Sequence, residues 1–262
     1  MKIILNEKQM LERSLNEGYI DEKSTNTIKL LAKYYFSIGQ DRNQTIDSVE
    51  NFMEKHYLNF NIIDWQKTIK NCVKNVYRHN NFTLLDINKI IIYQEELDII
   101  KEINNLRLEK LTFVLLVYSK IYNQMNKNDS NWVNSSLKDI FSDTKMAVST
   151  KEKGLMINKL VDMKLIEISR IVDCTNIKVL FTKTSGEIVL EITDFRDFVL
   201  EYLKLIGENI DVCEGNDCGR LIQINSNRQK FCRSCWKEYR KEIWKEASQK
   251  YRNKNRHSLE NP

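Results

Sequence analysis

Proline is nearly missing from this chain of 262 residues: the only one is Pro262, and only seven glycines break the rest. So few breakers exclude loop-rich and collagen-like folds and leave helices joined by short connections. Histidine is scarce as well, with three in all. His56 and His79 stand apart from cysteine and carboxylate clusters, so each reads as a surface or helix-end residue rather than a ligand. No stretch approaches the roughly 20 apolar residues that cross a bilayer, and Met1 to Glu7 carries too short an apolar run for a secretory signal. A cytoplasmic protein with no membrane partner is expected. Catalytic motifs are missing too. There is no Gly-rich phosphate loop, no His-Glu-x-x-His and no nucleophile elbow, and Gly154-Leu-Met lacks the lysine and second glycine of a nucleotide-binding loop. No catalytic residue is nominated and an enzyme is not expected.

Cysteine, in contrast, is patterned. Of the six, four form the pairs Cys213-Glu-Gly-Asn-Asp-Cys218 and Cys232-Arg-Ser-Cys235, joined by a thirteen-residue excursion. Each short pair makes a tight turn that brings two sulfurs to one side, and the excursion has room for a small hairpin that closes the site. One tetrahedral ion can then take four thiolates, which is the arrangement of a structural zinc ribbon or knuckle. Gly215 and Gly219 suit turns that need positive φ. The alternatives are two disulfides or four buried thiols, but a cytosolic chain does not keep the first and the second rarely falls at ligand spacing. Four cysteines leave no open position for water, so the predicted Zn2+ is structural. Cys72 and Cys174 read as ordinary thiols.

Charge is concentrated beside these cysteines. Between Arg228 and Arg256 eleven basic residues face three acidic ones, a balance of +8, whereas the whole chain carries +5 and the remainder therefore −3. Arg228, Lys230, Arg233, Lys237, Arg240, Lys241 and Lys245 are the candidate polyanion contacts. Trp236, Ile243, Trp244, Ala247 and Tyr251 recur among them at helical spacing. This stripe either packs on the zinc module or offers rings for stacking on bases.

A hydrophobic content of 42% with 10% aromatic residues suffices for folded cores, and the expected class is mainly α with a small β component. Three segments are expected: 1–83 as a helical bundle, 84–207 as a winged-helix domain with flanking helices, and 208–262 as the zinc module with its basic amphipathic helix. Ser24 can cap the first helix of the bundle, which ends near Gly39. A second runs from about Gln44 to Met53, and a third follows Asp64 with Trp65, Ile69, Cys72, Val73 and Val76 on one face. Phe82 to Ile92 suggests a hairpin and Gln94 to Ile103 a helix. Leu108 to Tyr122 is apolar enough to be a central helix.

Beyond a polar loop at Asn123 to Asn131 the order becomes specific. An extended piece at Trp132-Val133 precedes helices at about Ser136 to Phe141 and Thr150 to Met163. Strands at Leu165 to Ile171 and Ile177 to Phe181 flank the turn Asp173-Cys174-Thr175-Asn176, and Ile188 to Ile192 supplies a third. A helix-turn-helix with a hairpin predicts a winged helix. Its second helix should turn Met156, Leu160 and Met163 inward, with Ile157 and Val161 at the flank, leaving Lys151, Gly154 and Asn158 for a major groove. Arg170 and Lys178 on the hairpin would lie near phosphates. The alternative is a winged helix used for protein contacts or as scaffold. Thr193 to Leu205 reads as a further helix, and Ile206 to Asp211 as a hinge.

Three resemblances bear on this order. The succession of helix, Gly39, helix, Trp65 and helix from Ser24 to about Arg78 resembles the helical domain at the C-terminus of some primases and phage replication proteins. Leu160-Val-Asp-Met-Lys-Leu-Ile166, within Leu108 to Ile192, resembles the end of a recognition helix in winged-helix proteins, among them bacterial regulators and plasmid or phage replication initiators. Ser226-Asn-Arg-Gln-Lys-Phe-Cys232-Arg-Ser-Cys235 resembles short zinc modules in uncharacterised DNA-binding proteins of phages and mobile elements from low-GC Gram-positive bacteria. Together they imply nucleic-acid binding inside a bacterial host cell, in replication initiation or transcription control, with double-stranded DNA as the partner. The alternative is an interaction protein whose tail docks on an acidic protein or RNA-containing complex, such as a phage inhibitor of a CRISPR-type defence effector. No long heptad pattern enforces a dimer.

Overall fold

The computed structural model describes residues 5–78, 82–169, 176–226 and 229–260, with side chains to 250. It is mainly α with small sheets and divides into two compact units, Lys2–Asn88 and Lys89–Pro262. The division falls between Asn88 and Lys89.

The first unit has four helices, α1 (Glu7–Glu17), α2 (Ser24–Ser37), α3 (Arg42–His56) and α4 (Ile62–Arg78). Ser24 is the first helical residue rather than the cap, since Lys23 stands at the cap and makes no side-chain cap bond. Asp41 caps α3 instead, in a reciprocal box with Gln44. The apolar rows meet where helical spacing puts them: Ile28 and Leu31 of α2, Val49 and Met53 of α3, and Ile69 and Val73 of α4 are all fully buried. Each such side chain stabilises the bundle by roughly 1.5–3 kcal/mol. Trp65 lies against Tyr57 and Cys72 is a buried free thiol, so both serve the core. The stretch expected as a hairpin at 82–92 is not one. Asp86 bridges to Asn6, and the strand that follows pairs far away in the chain.

That strand, β1 (Ile90–Tyr93), opens the second unit and pairs antiparallel with β5 (Ile188–Ile192). Between them run α5 (Gln94–Glu102), α6 (Leu106–Asn126), β2 (Trp132–Val133), α7 (Leu137–Asp143), α8 (Thr150–Asp162), β3 (Ile166–Ile168) and β4 (Ile177–Val179). Every residue of α6 from Leu111 to Ile121 is buried, as befits a helix apolar on all sides. Its polar atoms find partners: Tyr118 donates to Asp143 at 2.7 Å, and Lys120 meets Glu96 at 2.9 Å. Burial, reinforced by Asp143, pushes the Tyr118 phenol well above its ordinary range.

The second sheet has the order β2-β4-β3, antiparallel throughout. Ile188 to Ile192 therefore does not supply the third strand of the hairpin sheet; β2 does. Strand partners are chosen by long-range packing, which local pattern does not reveal. The turn at 173–175 and His79 lie outside the described residues. Residues 193–198 precede rather than join the next helix, α9 (Val199–Leu205). The expected hinge is a turn at Gly207, φ 89°, after which β6 (Ile210–Val212) pairs with β7 (Leu221–Gln223) and both pack on α9. The last described element is α10 (Arg233–Glu260). Among the described residues no helix is long and apolar enough to cross a membrane.

Candidate metal centre and nucleic-acid interface

The β6–β7 hairpin and the start of α10 position the four cysteines. Cys213 follows β6, and its N–H donates to the Arg220 carbonyl at 2.8 Å, extending the ladder. The chain then reverses through Asp217 and Gly219, both in the left-handed region at φ 53° and 58°, with the Cys218 N–H donating to the Gly215 carbonyl at 3.1 Å. Cys232 precedes α10 and Cys235 lies in its first turn, where Trp236 N–H donates to the Cys232 carbonyl. The four sulfurs all lie within 4.8 Å of one another and are placed to hold a metal ion. Cys218 and Cys232 Sγ are 3.8 Å apart, far beyond a disulfide, and each of the four thiols is free.

Hydrogen bonds tie the sulfurs to the loop and to one another, and they act on the individual thiols in opposite directions. Cys213 Sγ accepts N–H bonds from Cys232 at 3.1 Å and Gly215 at 3.4 Å. Burial raises the Cys232 thiol, but bonds from the Cys235 N–H, Ser234 and the neighbouring thiols outweigh it and lower the group to about 6. Cys235, bonded to Cys232 and Cys218, is pushed up to about 12. Gly215 is needed for room rather than for its φ, which is not positive: a Cβ there would stand 2.5 Å from Cys235 Sγ. Outside the cluster, Arg196 is held by Asp194 and donates to the Cys218 carbonyl at 2.9 Å. Arg196 carries no motif, and only the fold brings it here.

The nucleic-acid candidates fall into two groups. On α8, which begins with the capping box of Ser149 and Glu152, Met156, Ile157 and Leu160 are buried while Lys151, Gly154 and Asn158 are exposed along one side. Met163 is exposed rather than inward, because the helix ends at Asp162 and the chain turns away through Lys164 at φ 57°. Leu155 and Lys159 are exposed with them, and Arg107 of α6 pairs with Glu152 at 3.5 Å beside this face. Sequence reasoning passed over these residues. Lys159 was open to discovery as the neighbour of Asn158, whereas Arg107 comes from another helix. Lys178 sits on the central strand β4, opposite Trp132 and Glu167, so a carboxylate-bearing residue is its cross-strand neighbour. Arg170 lies outside the described residues.

The second group is on and before α10. Lys230 is exposed and bonds Glu214 at 3.1 Å, which partly neutralises it. Arg233, Lys237, Arg240, Lys241 and Lys245 are all exposed, and the last four line one groove with Trp244. Arg228 lies outside the described residues. The aromatic stripe does not pack down: Phe231 stacks on Tyr239 at 4.9 Å and on Trp236 at 6.4 Å, yet Trp236, Tyr239, Ile243 and Trp244 all remain exposed. The chain matches no protein-family model, no curated protein and no solved structure.

Proposed function

We propose that this chain is a zinc-dependent, non-enzymatic nucleic-acid-binding protein. Residues 106–179 act as a winged helix on double-stranded DNA, while α10 adds sequence-independent affinity. Zinc fits the donor set. Four Zn–S bonds of about 2.3 Å give a tetrahedron with edges of about 3.8 Å; Cys218 and Cys232 Sγ stand at 3.8 Å and all four sulfurs lie within 4.8 Å of one another. Four thiolates complete the coordination, so the ion would fix α10 to the β6–β7 hairpin without taking part in chemistry.

The observation that carries the reading is the open side of α8. Helix α8 packs on β3 and α6, burying Met156, Ile157 and Leu160 and leaving Lys151, Gly154 and Asn158 exposed. Asparagine can bond adenine in bidentate fashion, lysine can reach guanine or phosphate, and a glycine lets the backbone approach. The order α6-β2-α7-α8-β3-β4 supports the winged-helix assignment, with β3–β4 as the wing. Such a protein suits replication initiation or transcription control on a phage or mobile element in a bacterial cytoplasm.

A second reading has its own observation. Ile243 and Tyr239 are exposed beside the cations of α10, which would favour a protein partner, as for an inhibitor of a host defence nucleoprotein. Fluorescence anisotropy of the full zinc-loaded chain with mixed-sequence duplex separates the two. DNA binding should fall about tenfold or more between low and moderate salt. The pair Lys151→Ala and Asn158→Ala should each reduce discrimination among duplexes by roughly 1–3 kcal/mol. Absence of duplex binding at low salt would sink the DNA reading and favour the protein partner.

A further inference from the structure

Helical spacing sorts the exposed part of α10 into rows four residues apart. Arg233, Lys237, Lys241 and Lys245 make one row, all cations. Trp236, Arg240 and Trp244 make the row beside it, with the Arg240 guanidinium 5.7 Å from the centre of the Trp244 ring. Glu238, Glu242 and Glu246 are confined to the far side of the lysine row, away from Trp244. Lys237, Lys241 and Lys245 of the first row and Arg240 and Trp244 of the second line an open groove of about 700 Å³. Trp244 is 65% exposed, whereas Trp236 already stacks on Phe231.

We infer that this groove binds one unpaired nucleic-acid strand, with phosphates along the lysine row and a base stacked on Trp244. The inference rests on the nucleic-acid reading and narrows its ligand. An exposed indole set between cations on a carboxylate-free face has two things to offer, charge neutralisation and a flat ring. A duplex uses only the first, because its bases already stack on one another, while a free strand uses both. An anionic membrane fits less well. Seating Tyr239 and Ile243 in lipid would bring the glutamate row, which flanks them, against the headgroups. An acidic peptide would satisfy the lysines and leave the indole unused.

The test takes the full zinc-loaded chain and three probes of equal length: oligo(dT), an abasic deoxyribose-phosphate strand, and a duplex. Oligo(dT) should quench tryptophan emission, and the quench should vanish in Trp244→Phe. Trp244→Ala should weaken oligo(dT) about 5- to 150-fold, and the abasic strand should bind the unaltered chain with a similar deficit. Trp244 makes no packing contact that its loss would collapse, and unchanged zinc content verifies this. As a second variant, Lys241→Gln with Lys245→Gln should lower the salt dependence of oligo(dT) binding while preserving the quench. Abasic and base-bearing strands binding equally would overturn the inference, as would preference for duplex, polyglutamate or phosphatidylserine vesicles. If duplex binds while Trp244 stays silent, the inference alone fails; if no nucleic acid binds, both readings fail.

Discussion

A methyl group at Gly215 would stand 2.5 Å from Cys235 Sγ and 2.8 Å from its Cβ, whereas one at Gly219 would meet nothing within 4 Å. The two glycines therefore serve different ends. Gly215→Ala should displace a ligand and abolish stoichiometric zinc binding, read by metal analysis of the purified protein. Gly219→Ala keeps the site but places a side chain at φ +58°, so zinc should remain and stability fall by about 1–2 kcal/mol. Equal loss of metal in both would show that backbone strain, not room, governs the loop. Arg196 offers a second case. Burial pushes the Asp194 carboxyl up, but Arg196 outweighs it and the group lies below its ordinary range. A depressed carboxylate stabilises the fold above its unfolded value near ~3.9 and loses that contribution only as pH falls through the lower folded value. Arg196→Ala should thus loosen the Cys218 loop by about 0–1 kcal/mol, since both groups are partly exposed. The effect should stay flat from pH 5 to 8 in thermal melts.

At the scale of elements, what was legible in the sequence is what is written locally. The spacing of Cys213, Cys218, Cys232 and Cys235 announced a cluster, and the periodicity of α8 separated Met156 and Leu160 from Lys151, Gly154 and Asn158. Met163 escaped because it lies one residue past the helix end, where the period no longer applies. Strand partners were not legible: Ile90 pairs with Ile192 and Trp132 with Lys178, and nothing near either residue encodes its partner. The fate of the α10 stripe was open for a similar reason, since Phe231 claims Trp236 and Tyr239 and leaves Trp244 unused. The roles proposed for α8 and α10 should therefore separate in experiment. Replacing Lys237, Lys241 and Lys245 by Gln should reduce the slope of log K against log salt for duplex binding by about 0.9 for each phosphate no longer neutralised, without altering which sequences are preferred. Asn158→Ala should do the reverse, and a shared phenotype would contradict separate roles.

On the scale of the whole molecule, the chain divides into two compact units, and the burial of Glu96 ties the second together. Its carboxylate is fully buried, accepting N–H bonds from Tyr93 at 2.9 Å and Lys183 at 2.6 Å and facing the Lys120 ammonium at 2.9 Å. It thereby joins the start of α5 to the far half of α6 and to the segment after β4. Burial lowers the Lys120 ammonium, and the hydrogen bond and charge of Glu96 oppose that shift. Removing the carboxylate strands a buried charge and two N–H groups, at a cost of roughly 3–5 kcal/mol. Glu96→Ala should consequently shift the unfolding of Lys89–Pro262 to lower denaturant while leaving the helical bundle of Lys2–Asn88 where it was. Hydrogen exchange resolves the two: amides of α6 should lose protection and those of α2 and α4 should keep it. Loss of protection in both would show that the units fold as one, and the bundle's own core, from Ile28 to Val76, would then be insufficient alone.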